Sequence, residues 1–188
     1  MIGQVYAKPS IVGSLRLGAM LGIGAAWAIF GLVLGAGAQL GLPPGTFYEM
    51  IGVSLGISDE WPAIYLGFAL HMLTGAVIGM VYMAVSERIR RLRNFSTASW
   101  FGTGVATGIA VWAVLFVPLH FFIVGPALQG MLLSDPRAER LNDMSDSILY
   151  GALAMHFVFG SILGFLARIV TSARDVVKTG VRHDAAAA

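Results

Sequence analysis

The sequence holds four histidines and no cysteine in 188 residues. Disulfides, iron–sulfur clusters and thiolate zinc sites are thereby excluded, and imidazoles, carboxylates and backbone carbonyls are the metal ligands left. Two of the histidines stand in matching contexts, His71 in LHMLTGAVIGM (70–80) and His156 in MHFVFGSILGF (155–165), each followed by glycines four and eight residues on. Such a pair can do three kinds of chemistry. Neutral imidazoles can hydrogen-bond each other, an indole N–H or a carbonyl and so fix helix register. Two level, opposed histidines can ligate a haem b iron or a copper ion. They can also titrate as relays on a proton or solute pathway, although no Asp or Glu falls within the surrounding apolar runs to pass a proton on.

Those runs are what position the pair. The chain is 57% hydrophobic and 12% charged, with a mean hydropathy of +0.78, outside the range of soluble domains, where roughly a quarter of residues are charged. Four apolar stretches, at about 15–38, 62–85, 100–124 and 147–170, each reach the ~20 residues needed to cross a bilayer. The fold class is therefore an all-α integral membrane four-helix bundle. A β-barrel, with its short alternating segments, does not fit. The first run is longer than the core of a signal peptide and has a later counterpart, so it is read as retained.

Ten of the twelve basic residues, Lys8, Arg16, Arg88, Arg90, Arg91, Arg93, Arg168, Arg174, Lys178 and Arg182, fall on one side, and only Arg137 and Arg140 on the other. Both termini are expected in the cytoplasm of a prokaryotic cell, with the chain in the cytoplasmic membrane. Arg88, Arg90, Arg91 and Arg93 are also candidates for lipid headgroups, although the positive-inside signal accounts for them. The net charge of +2 gives no reason to expect nucleic-acid binding.

An offset of 85 residues maps His71 onto His156, and also Ser14 onto Ser99, Trp27 onto Trp112, Tyr65 onto Tyr150, Gly75 onto Gly160 and Gly79 onto Gly164. This reads as a tandem duplication of a two-helix hairpin. Residues 1–13 are an N-terminal segment, 14–97 and 98–172 are parallel repeats related by a pseudo-two-fold axis along the membrane normal, and 173–188 form a tail that extends the last helix briefly and frays. In the first outer loop, Phe47, Met50, Ile51 and Leu55 at helical spacing predict a short amphipathic helix lying at the outer interface. The second, 125–146, is more polar.

Both histidines lie nine residues into their spans, near the midplane, and Trp27 and Trp112 reach a similar depth, which predicts a central His/Trp layer. Gly75, Gly79, Gly160 and Gly164 permit close helix packing. If the two glycine stripes face each other, the histidines meet at the centre and the helices draw too close for a haem macrocycle. His120 lies about twenty residues into the third span, more than ~10 Å in depth from the others, and is read as a satisfied interfacial histidine after a kink at Pro118. His183 is in the polar tail.

The pattern Gly-Leu-Pro-Pro-Gly-Thr-Phe at 41–47, His71-x-x-x-Gly75-x-x-x-Gly79 and Trp112 resembles small four-helix membrane proteins of an uncharacterised family of archaea and bacteria. The likeness spans most of 14–170 and implies a fold, with no activity and no catalytic residues. The leading functional expectation is a non-catalytic accessory subunit of a larger membrane complex, of respiratory or monooxygenase type, with other membrane subunits and lipid as partners. The alternatives are a haem- or copper-binding electron-transfer module using His71 and His156, and a small transporter or channel.

Overall fold

The structure is a computed structural model that describes residues 10–88, 97–131 and 136–186; for 97–98, 131, 136–137, 140 and 174–186 only the backbone is described. Its elements are α1 (Ile11–Gln39), α2 (Thr46–Ser54), α3 (Glu60–Arg88), α4 (Thr97–Val111), a π-helical turn (Trp112–Phe116), α5 (Val117–Leu119), a second π-helical turn (His120–Val124), α6 (Gly125–Met131), α7 (Pro136–Asp143) and α8 (Ser145–Ala186). Four segments are long and apolar enough to cross a membrane: α1, α3, Ser99–Gly130 through both π-turns, and Ser145–Ala173 of α8. The described helix α8 continues to Ala186, and no proline interrupts the stretch 171–186.

Local chemistry sets the ends. Ser10 caps α1 by accepting from the Gly13 N–H at 3.1 Å, a free donor at a helix start. At the other end, Leu42 N–H bonds the Gly37 carbonyl around Gly41, whose φ of 67° is left-handed, a C-terminal motif that favours glycine. Pro43 and Pro44 stop the helix from resuming, and α2 starts after Gly45.

Within each pair of spans the helices touch backbone to backbone. Gly18 and Gly22 of α1 lie on Gly75 and Gly79 of α3, and Gly104 and Gly108 of α4 lie on His156, Gly160 and Gly164 of α8. A methyl built on Gly22, Gly79, Gly104 or Gly108 would overlap a carbonyl of the facing helix. The glycines of α3 and α8 therefore face α1 and α4, not each other, which corrects the expected juxtaposition of the two stripes.

The two pairs join mainly along α1 and α8. Leu21, Ala25, Ala26 and Ile29 form one buried core with Phe159, Leu163 and Ala167, and Tyr82, Met83 and Trp100 complete it. A half-turn about the bundle axis would require α3 to meet the third span as α1 meets α8. Among the described residues those two spans scarcely approach along their length. Tyr82 bridges them at the end carrying the termini, its hydroxyl 3.2 Å from the Trp100 carbonyl oxygen and 3.0 Å from Thr103 Oγ1.

The loop end has a smaller core of its own, Leu42, Val124, Leu128, Ala138 and Leu141. Ala138 and Leu141 reach it from α7, one helical turn apart in an otherwise polar segment. The short helix expected in the first loop is present as α2: Phe47 and Met50 pack against the loop-end core, Leu55 is exposed, and Thr46, Tyr48, Glu49 and Gly52 are buried. Glycine is the reason. Gly52 lies on the Ala63 backbone and Gly67 on the Tyr48 backbone, so α2 docks on α3 along its small-residue side and turns Tyr48 inward.

Candidate functional site

His71 is half-buried on α3. Its ring meets the edge of Tyr48, 5.5 Å between centroids, and the Ala26 backbone lies beside it. Its Nε2 is buried without a hydrogen-bond partner. His156, also half-buried, donates from Nδ1 to the Ala152 carbonyl at 2.7 Å, which leaves Nε2 as the acceptor of the neutral ring. It packs on Phe116, 5.6 Å away. The two imidazoles lie close enough for charge on one to act on the other.

The tryptophans sit differently. Trp27 is 60% exposed and stacks on Phe30 at 5.5 Å, whereas Trp112 is half-buried and donates from Nε1 to the Leu149 carbonyl at 3.1 Å. Packing register accounts for this. Gly104 stands against Gly160 and Gly164 as Gly22 stands against Gly75 and Gly79, so matching contacts are 82 residues apart on the first helices of the pairs and 85 on the second. By that register Trp112 occupies the place of Phe30, and a single offset of 85 does not describe the packing.

His120 is buried, at 6% exposure, and bonds Ser145 Oγ at 2.9 Å. Its ring stacks on Phe116 at 5.9 Å, so Phe116 lies between His120 and His156. Pro118 lacks the N–H that would close its own helical turn, and the two π-turns flank it. Among the described residues no group of three His, Asp or Glu side chains could hold a metal ion. Arg88 ends α3 exposed, while Arg90, Arg91 and Arg93 lie outside the described residues, as does the side chain of His183.

Sequence reasoning missed Tyr48 and Phe116, the rings that flank the two histidines. Tyr48 is 3% exposed and contacts Phe30 at 5.9 Å and Phe68 at 5.6 Å as well as His71. Burial pushes its phenol up to about 12, so it is a protonated donor at neutral pH. The available signal was the pair Gly52 and Gly67, which lets the α2 backbone approach α3. The described site can accept or donate hydrogen bonds at midspan and offers the Nε2 of His71 and of His156 to a guest. No protein-family model, curated protein or solved structure matches this chain, so the resemblance to small four-helix membrane proteins extends to an all-α bundle of four long apolar helices and to no identified family.

Proposed function

We propose that this chain is a non-catalytic accessory subunit of a larger membrane assembly, with both termini cytoplasmic. The observation that carries this reading is the backbone contact through glycine in both helix pairs, which makes each pair a stiff unit whose interior is filled by main chain. The buried polar groups support it by tying one span to another: Trp112 to the Leu149 carbonyl, His120 to Ser145, Tyr82 to Trp100 and Thr103. Such ties hold helices together and present no acid–base pair to a substrate. Large apolar side chains such as Trp61, Tyr65, Phe122 and Tyr150 are turned outward at the loop end, available to neighbouring helices and lipid. The two pairs are also proposed to descend from one duplicated hairpin, for which the shared Gly-x-x-x-Gly on α3 and α8 is the support. Extraction of native membranes in a mild detergent, followed by native electrophoresis and mass spectrometry, tests the assembly. The chain is expected to migrate with a fixed set of membrane partners, and recovery as a solitary, ligand-free monomer would overturn the reading.

A second reading has one observation in its favour. His71 and His156 lie within electrostatic range, and His71 Nε2 is buried and unpaired. The Nδ1 of His156 is tied to a carbonyl, the arrangement that orients an imidazole for metal ligation through Nε2. Each imidazole is thus a candidate ligand for a copper ion or a haem iron. Metal analysis and an absorption spectrum of natively purified protein test this, and stoichiometric copper or a Soret band abolished by His71→Ala or His156→Ala is the expected result.

A further inference from the structure

Two unpaired polar atoms belong to rings that touch in the interior. Tyr48 is 3% exposed and its hydroxyl has no hydrogen-bond partner. His71 Nε2 is buried and has none either, yet the rings touch edge-on, with centroids 5.5 Å apart and planes at 63°. A buried hydroxyl and a buried imidazole nitrogen are each costly to leave unsatisfied. Where two such groups adjoin without reaching one another, both are satisfied by a third polar group placed between them.

We propose that Tyr48 Oη and His71 Nε2 form a binding site for a hydroxyl group. A hydroxyl donates one hydrogen bond and accepts others, so it serves the pair in either tautomer of the imidazole. A carbonyl only accepts, and fits one tautomer alone. The hydroxyl has two sources: a water molecule, or the head of a lipid-soluble phenol or quinol. For the second source the structure supplies a row of aromatic rings. Phe68 lies 5.6 Å from Tyr48, Trp27 lies 5.8 Å from Phe68, and Trp27 is 60% exposed. These rings run from the outer surface of the bundle to the buried pair, and an aromatic head can stack along them. The site is independent of the assembly reading, since a solitary chain would carry it equally.

The test uses the purified full chain in lipid nanodiscs, with Tyr48→Phe, His71→Asn and, as control, Tyr82→Phe, whose hydroxyl has partners of its own. A short-tailed hydroquinone and the matching quinone are titrated while tryptophan emission is followed. If the bilayer is the source, the hydroquinone quenches saturably, binds more tightly than the quinone, and loses about tenfold in affinity in Tyr48→Phe and His71→Asn, the scale of one lost hydrogen bond, with Tyr82→Phe unchanged. If water is the source, hydroquinone does not saturate, but a water O–H stretching band that is lost in Tyr48→Phe shifts in heavy-oxygen water. Either result upholds the hydroxyl site. It is overturned if neither signal is seen and Tyr48→Phe melts above the parent protein, as removal of an unpaired buried hydroxyl would cause. Stoichiometric metal lost in His71→Asn would overturn it as well.

Discussion

Alanine at Gly22 tests whether the helix pairs are held by backbone contact. A Cβ there would sit inside the Gly75 carbonyl, and the Gly79 Cα would be only 3.1 Å away. Both obstacles are main chain, so no rotamer change relieves them, and α1 and α3 have to part by ~1 Å to restore ordinary contact near 3.5 Å. A gap of that order forfeits roughly a quarter to a half of the dispersion well of each atom pair along the seam. Overpacking of this kind costs about 1–3 kcal/mol. Alanine simultaneously gains about 1 kcal/mol in helix propensity over glycine, so the control must carry the same gain. Gly31 supplies it: it lies on the same helix and a Cβ there meets nothing within 4 Å. With the propensity gain common to both, Gly22→Ala is therefore expected to fall below Gly31→Ala by about 1–3 kcal/mol, read from unfolding curves in mixed micelles of rising denaturing-detergent fraction. Gly104→Ala against Gly102→Ala repeats the comparison on the other pair, since Gly104 meets Gly160 and Gly164 and Gly102 meets nothing. Equal stabilities of Gly22→Ala and Gly31→Ala would refute the backbone seam.

Ser145→Ala leaves the His120 imidazole, 6% exposed, without its bond of 2.9 Å and is expected to cost about 1–3 kcal/mol in the same assay, with Ser145→Thr retaining most of the stability. Tyr48, whose folded pKa is raised from 10.0 to about 12, keeps a proton that the unfolded chain releases. Its contribution is full below pH 10 and is lost at about 1.4 kcal/mol per pH unit as pH rises toward 12, so the stability difference between the parent and Tyr48→Phe should shift in that window and stay flat below it. Because the chain has no cysteine, single cysteines at Ser58 and Asn94 can report orientation: an impermeant maleimide added to whole cells is expected to label the first and spare the second. Deletion of Val114, 68% exposed in the first π-turn, should be tolerated, because a π-turn holds one residue more than an α-turn. Deletion of Ala106 in regular helix turns everything beyond it by roughly 100° and should abolish the Trp112 and His120 ties, as judged by loss of a cooperative melt.

The spans were legible because composition alone demands them, and the close-packing role of Gly75, Gly79, Gly160 and Gly164 was legible because small residues four apart make a groove. Which helix fills that groove was not, since a groove does not name its occupant. The face by which α2 docks on α3 was not legible for a related reason. Hydrophobic periodicity selects Phe47, Met50, Ile51 and Leu55, whereas docking is decided by Gly52 and Gly67, which have no side chain to register on a hydropathy scale. The histidines were found by rarity in an apolar run, but Tyr48 and Phe116 are ordinary residues in their segments, and only the fold places them beside an imidazole.

The unequal separations of 82 and 85 have a physical origin in the second pair. From Gly104 to Gly164 the chain carries three more residues than from Gly22 to Gly79, although both stretches leave and return through the same kind of glycine crossing. Surplus residues in a span must either lengthen it or be absorbed by wider turns, and a membrane of fixed thickness penalises the first. The third span contains two π-turns, Trp112–Phe116 and His120–Val124, and each takes up one residue without adding a full rise to the helix, which accounts for two of the three. Absorption in that place also re-aims the side chains around Pro118. Phe116 turns toward His156 and His120 toward Ser145, contacts for which the first pair has no counterpart: its histidine is met by Tyr48 of α2. The two histidines, alike in sequence, thus have different neighbours because a short helix docks beside one and widened turns stand beside the other, and a guest would meet His71 through a phenol and His156 through a phenyl ring.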